Sequence, residues 1–259
     1  MTLRSLRTQI ISCRRCPRLR EYCARIAVEK KAAYRHQTYW GRPVPGFGDP
    51  RARLLVVGLA PAAHGANRTG RMFTGDSSGA FLMRALHKSG FANQPTSEHA
   101  RDGLALTGAY ISAAARCAPP ANKPTTTEIS RCLPYLEAEL ELLRNARVIF
   151  ALGRVAFDAS WRLLVRRGAP ARPKPAFAHG RGYNFAGLPA LIASYHPSRQ
   201  NTNTGRLTEA MFDHVFATAR HLGRRGRIHC PPADQPWTDS SISTTPRPHF
   251  LSPKKSTSS

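Results

Sequence analysis

Apolar residues fall along the chain in four short continuous runs, separated by longer stretches in which they recur at helical spacing. The runs are RLLVVGLA at 53–60, LTGAYISAAA at 106–115, RVIFALG at 147–153 and LPALIASY at 188–195. Each is bounded by turn-forming residues, and the pattern predicts strands buried on both faces. Helices are predicted at 2–12 (Leu3, Leu6, Ile10), at 18–31 with a basic character, and after Asp76 or Ser77 as cap, with Phe81, Leu82, Ala85 and Leu86 facing inward and Gly90 as the stop. Further helices are expected from Thr127, as cap, to Leu143 with an acidic face from Glu128 to Glu141, at 155–165 and at 207–222. Strands that alternate with helices imply an α/β fold: a three-layer α/β/α sandwich with a mainly parallel, four-stranded central sheet. The loops after the first, second and fourth strands then gather at the carboxyl edge, where such sheets place their ligands. Residues 1–223 read as one catalytic-size domain. Residues 224–259 read as a basic, Pro/Ser/Thr-rich disordered tail.

Charge adds a partner to this outline. The chain carries 39 Lys+Arg against 15 Asp+Glu, a formal net charge of +24. The arginines run from Arg4 to Arg227 and are not confined to one end, which calls for a polyanion, nucleic acid first. No run approaches the roughly 18 apolar residues of a membrane span, and no long apolar segment follows the basic N-terminus. The expectation is a cytoplasmic, nucleoid-associated protein of bacterial type, monomeric and without membrane contact. In that reducing setting its 6 cysteines are metal ligands or core thiols.

The candidate chemistry lies in three places. The loop GLAPAAHGANRTGRMFTGDSSG at 58–79 has the glycines of a phosphate loop. It lacks the Lys-Ser/Thr pair, having Arg71-Met72 in its place, and this excludes nucleoside triphosphatase chemistry. Cys13-x2-Cys16 can present two thiolates to one centre and pairs with Cys117-x14-Cys132. Four thiolates suit structural zinc or an iron–sulfur cluster, and the wide second spacing leans away from a zinc ribbon. Cys23 and Cys230 read as ordinary cysteines. Asp76 and His196 stand on loops expected to meet at one sheet edge. A carboxylate facing a histidine across a cleft suits hydrolysis with a leaving group that takes up negative charge.

Four segments carry a resemblance: GLAPAAHGANRTGRMFTGD at 58–76, RCAPPANKPT at 116–125, ALGRVAFDA at 151–159 and HPSRQNTNTGRLT at 196–208, together with the cysteine spacing. From about Cys13 to Leu222 the chain resembles the family 5 (UDGb-type) uracil-DNA glycosylases of the uracil-DNA glycosylase superfamily. The resemblance implies a monofunctional DNA glycosylase that extrudes uracil and hydrolyses its N-glycosidic bond, leaving an abasic site at the start of base excision repair. It extends the substrates to hypoxanthine, xanthine and ethenocytosine, in double- and single-stranded DNA.

By the same resemblance Cys13, Cys16, Cys117 and Cys132 ligate a structural [4Fe–4S] cluster. Asp76 is the catalytic carboxylate, Asn122 an amide that assists it, and His196 the hydrogen-bond partner of the base. Phe73 stacks on the extruded base, and Ala60, Gly75 and Ala113 line its pocket. Ala60 replaces a water-activating group of other families, and Ala113 an Asn that reads the uracil edge. Arg68, Arg71, Arg199, Asn201 and Arg206 are expected on DNA, with Arg199 a departure from the apolar or Pro residue usual in the HPS loop. Two other readings compete: a non-catalytic iron–sulfur or zinc nucleic-acid-binding protein, and a protein of this fold that cross-links to uracil DNA through His196.

Overall fold

A computed structural model of the chain describes residues 1–224. The four apolar runs form the parallel core of the sheet: β2 (Leu54–Gly58), β3 (Ala109–Ala113), β4 (Val148–Leu152) and β6 (Ala190–Ser194), every residue of each buried. Two-residue antiparallel strands, β1 (Phe47–Gly48) and β5 (Gly182–Tyr183), extend the edges to give the order β1-β3-β2-β4-β6-β5. The sheet therefore has six strands, two more than the sequence predicts. A two-residue strand is too short to show any alternation.

Along β2 the reason for the continuous apolar run is visible. Leu54 and Val56 enter one core with Leu82 and Leu86 of α4 (Ser77–Lys88) and Phe212 and Phe216 of α8 (Glu209–Arg224). Leu55 and Val57 enter the other, with Leu133, Leu136 and Leu140 of α5 (Thr126–Leu142) and Phe157, Trp161 and Leu164 of α6 (Arg154–Arg166). Both faces are covered, so both parities must be apolar. The three-layer sandwich is as expected.

One helical detail differs from expectation. The cap of α5 is Thr125, not Thr127: its Oγ1 accepts from the Glu128 N–H at 3.2 Å, and Glu128 accepts from the Thr125 N–H at 2.7 Å. The acidic face of α5 is solvated only in part: Glu141 is exposed, whereas Glu128 and Glu139 are buried. Glu128 pairs with Arg18 at 2.7 Å, and Glu139, 1% exposed, with Arg116, equally buried, at 2.6 Å. Glu139 also accepts from the Ser112 hydroxyl at 2.5 Å and the Gly46 N–H at 3.2 Å, so the end of β3 is pinned from below.

At the N-terminus α1 (Leu3–Ile11) and α2 (Pro17–Glu29) meet in an elbow that carries Cys13 and Cys16. The expected disorder of the tail lies outside the described residues. No described helix is long and apolar enough to cross a membrane.

Candidate active site

The carboxyl ends of β2 and β6 carry the site. After Gly58 the chain passes through a one-turn helix, α3 (Ala66–Thr69), and returns to the sheet at Phe73. The Phe73 backbone is left-handed (φ 49°), unusual for a residue with a side chain and a feature of strained functional positions. Its ring lies where a Gly58 side chain would be: a Cβ there would sit 2.7 Å from the ring. The Phe73 and His196 rings lie side by side, 5.9 Å between centroids and tilted by 30°. This contact joins the loop after β2 to the loop after β6, as the topology predicts.

Asp76 is the N-cap of α4, and its Oδ1 accepts from the Gly79 N–H at 2.8 Å. The cap is thus the carboxylate that the sequence singles out as a candidate for chemistry. Oδ2 is turned towards α3, where a Cβ on Gly65 would lie only 2.0 Å away. Burial raises the Asp76 carboxyl above its ordinary value. The Gly79 and Ser78 N–H groups and the charges of Arg68 and Arg199 pull in the other direction without overcoming it.

His196 follows Tyr195 at the end of β6. Neither ring nitrogen has a hydrogen-bond partner among the described residues, and burial pushes the imidazole down to about 4, so it is neutral at physiological pH. The loop beyond is held by short-range bonds. The Asn201 side-chain N–H donates to the His196 carbonyl at 2.8 Å, and Ser198 caps α7 (Arg199–Asn203). The Arg199 Nε donates to the Ser77 hydroxyl at 3.2 Å, tying α7 to the first residue of α4.

Three of the residues expected on DNA are engaged in bonds within the protein. Arg68 and Arg71 are each 8% exposed. Arg71 is held by Asp102 at 2.6 Å, Ser97 and Thr74, and Arg68 by three oxygens from three segments. Neither guanidinium faces solvent, because each is spent on folding the loop. Asn201 likewise braces the backbone. Arg199 and Arg206 remain exposed, Arg206 with its guanidinium 4.7 Å from the Tyr195 ring centroid.

Ala60 is half-buried past the end of β2, and Ala113 is buried at the end of β3. The backbones past these ends stay paired through Ala114 N–H to Gly58 at 2.9 Å and Ala115 N–H to Leu59 at 3.0 Å. Gly75 uses its positive φ of 77° to present its carbonyl to Arg68. Asn122 stands apart. It closes an exposed 3-10 turn with left-handed backbone, its backbone N–H donating to the Pro119 carbonyl at 3.2 Å, and its side-chain amide has no hydrogen-bond partner among the described residues. The neighbouring Lys123 carbonyl is tied instead to Arg18 of α2 at 3.3 Å. His64 is a group the sequence reading passed over. It precedes Gly65, and its Nδ1 lies 3.1 Å from the Tyr39 hydroxyl.

Some distance along β3 and α5, Cys13, Cys16, Cys117 and Cys132 line one enclosed cavity, ringed by Arg15, Arg20, Arg116 and Arg131. Cys23 is a buried core thiol whose Sγ donates to the Ala118 carbonyl at 3.6 Å. Among the described residues no three Cys, His, Asp or Glu side chains are grouped tightly enough to hold a single metal ion.

An α/β/α sandwich with an aromatic ring, a neutral histidine and a capping carboxylate at its carboxyl edge is a hydrolase scaffold for a flat heterocycle. The chain belongs to the uracil DNA glycosylase superfamily, whose profile matches residues 45–220. It is similar to three type-5 uracil-DNA glycosylases. That of Thermus thermophilus is 52% identical over 213 residues, covering 82% of this chain and 94% of the relative. That of Mycobacterium leprae is 51% identical over 220 residues, covering 84% and 94%. That of Pyrobaculum aerophilum is 48% identical over 211 residues, covering 82% and 89%.

Proposed function

We propose that the chain excises uracil from DNA by hydrolysis of the N-glycosidic bond, as the first step of a repair pathway. The observation that carries this reading is the pairing of Phe73 with His196 beside Asp76. It offers a platform, an unpartnered donor and a carboxylate within one short stretch of sheet edge.

Taking the base out of the stack is the first requirement, and a deaminated, mispaired base is the cheapest to extrude. Phe73 receives its face. The bond between C1′ and the base nitrogen then breaks with its electron pair leaving on the base. The sugar becomes cationic and the base anionic. His196, neutral and free at its ring nitrogens, donates to the base oxygen that gathers this charge. Asp76, fixed by the Gly79 N–H, stabilises the sugar cation and orients the water whose oxygen bonds to C1′. The proton that water sheds goes to solvent or to the departing base. Arg199 and Arg206 are the exposed cations placed to meet phosphates next to the lesion.

Small, apolar Ala60 and Ala113 at the strand ends make no demand on the base edge. This supports a range beyond uracil that takes in hypoxanthine, xanthine and ethenocytosine. The Asn122 side chain, exposed and without a bond among the described residues, supports a role that begins only when DNA is bound. We also infer that Cys13, Cys16, Cys117 and Cys132 hold a [4Fe–4S] cluster. The four cysteines line one cavity, and the surrounding arginines offset the thiolates of a cluster held there. The cluster would supply a cross-link between the α1–α2 elbow and the β3–α5 arm, and no redox step.

The test is uracil release from a uracil-containing duplex, read as alkali-cleavable sites. Wild type is expected to yield abasic sites, and Asp76→Ala to lose at least ~10²-fold in rate with the fold intact. A wild type that binds duplex yet releases no base would overturn the reading, and a fully active Asp76→Ala would remove Asp76 from it.

A further inference from the structure

Arg68 makes three side-chain hydrogen bonds next to the site, and the proposed reaction does not use it. Its Nε donates to the His64 carbonyl at 2.7 Å, one terminal nitrogen to the Gln37 side-chain oxygen at 2.6 Å, and the other to the Gly75 carbonyl at 2.9 Å. The guanidinium carbon lies 4.0 Å from the centroid of the Tyr34 ring, which covers one face. With three acceptors and a stacked face, the plane of the group is fixed. The Gly75 carbonyl belongs to the peptide bond that leads into Asp76, so Arg68 holds the backbone on which the carboxylate is mounted.

The glycines confirm how closely the parts are fitted. A Cβ on Gly75 would lie 2.3 Å from the Arg68 terminal nitrogen, and Gly65, three residues before Arg68, leaves the room that Asp76 Oδ2 occupies. Buried positive charge at this point also opposes the cost of keeping Asp76 ionised, in the same direction as the Gly79 and Ser78 N–H groups and Arg199. A lysine carries the charge but has no planar fork to meet three separated acceptors. Reaching a phosphate would break all three bonds.

We propose that Arg68 is the positioning residue of Asp76, holding the catalytic carboxylate in place and contributing nothing to DNA affinity. The inference rests on the role given to Asp76 above.

Single-turnover uracil release separates this from the alternatives, alongside affinity for a duplex carrying an uncleavable 2′-fluoro-2′-deoxyuridine, measured by anisotropy from low to high salt. Arg68→Met is expected to slow release ~10²-fold, the scale of a misplacement of about 1 Å. Affinity and the salt slope should stay at wild-type values. Arg68→Lys should recover part of the rate but stay at least ~10-fold slow. Loss of affinity with a salt slope shallower by about 0.9 and the rate unchanged would make Arg68 a phosphate contact and overturn the proposal. So would a wild-type rate and affinity in Arg68→Met.

Should that variant fail to fold, Gln37→Leu leaves Arg68 in place with one arm freed. A rate several-fold lower at unchanged affinity is expected, and an unchanged rate would overturn the proposal. Asp76→Asn separates the two claims. Wild-type release in Asp76→Asn removes the carboxylate's role itself. A slow Asp76→Asn beside a fast Arg68→Met rejects only the role of Arg68.

Discussion

Gly65→Ala adds one methyl group beside the carboxylate and touches nothing else in the chemistry. Gly65 has φ −98°, outside the left-handed region, so alanine meets no backbone penalty of that kind. The obstacle is steric. The new carbon would lie 2.0 Å from Asp76 Oδ2 and 2.9 Å from its Cγ. To reach an ordinary non-bonded separation of about 3.5 Å, the oxygen must retreat about 1.5 Å from its 2.0 Å position. The alternative, withdrawal of α3, is blocked by the Trp40 N–H bond to Arg68 at 2.9 Å and the Gly41 N–H bond to Asn67 at 3.0 Å. The carboxylate therefore yields and loses its bond to Gly79. A lost cap costs about 1 kcal/mol, which in a domain of this size lowers Tm by roughly 2–4 °C. The displacement costs about 10²-fold in the chemical step, or roughly 2.7 kcal/mol of barrier. Single-turnover release on a uracil duplex, affinity for the uncleavable analogue and a thermal melt together test the argument. The expected pattern is a slow step, normal affinity and a small drop in Tm. A release rate within about threefold of wild type would show that the position of Oδ2 is irrelevant to the reaction.

Two further outcomes are expected. Because His196 is held neutral, with its imidazole pushed down to about 4 from an ordinary 6.5, the unfolded chain takes up a proton between these values and the folded chain does not. Stability is therefore full above pH 6.5 and falls as pH drops towards 4, by at most about 3 kcal/mol from this group. Urea unfolding of wild type and His196→Asn across that range should show the slope reduced in the variant, and identical slopes would contradict the neutral assignment. Protein purified anaerobically should be brown with broad absorbance near roughly 400 nm, and Cys117→Ala should lose both the colour and thermal stability; a colourless, zinc-loaded wild type would overturn the cluster.

Much of the sheet is legible in the sequence because β2, β3, β4 and β6 are buried on both faces, and burial on both faces leaves no polar positions to confuse the pattern. The α5 cap was legible too, though misassigned. In the run Thr125-Thr126-Thr127, only Thr125 has a glutamate three residues on, the spacing of a capping box. What sequence does not reveal is the state of a charge. Arg68 and Arg71 look like any cations of a basic loop. Their acceptors are a glutamine 31 positions before one and an aspartate 31 positions after the other, plus carbonyls that carry no sequence signature. Gly65 and Gly75 were visible as glycines, but the reason for them was not: each clears space for one charged group.

The division that results explains why one loop can be rigid and still serve a large, deformable substrate. Asp76 is held twice, by the Gly79 N–H on one oxygen and by the packing of α3 on the other. Phe73 is fixed by its backbone and by the space at Gly58. Under the proposed function these groups act on the base and sugar, where an ångström matters. Arg199, Arg206 and Asn122 are exposed, with at most one bond or a stacking contact each. Under the same proposal they meet phosphates, which arrive in varied positions, and rigidity there would gain nothing. The buried arginines belong with the first group. Arg199 and Arg206 thus stay exposed, while Arg68 and Arg71 are withdrawn from solvent to hold the loop that carries Phe73 and Asp76.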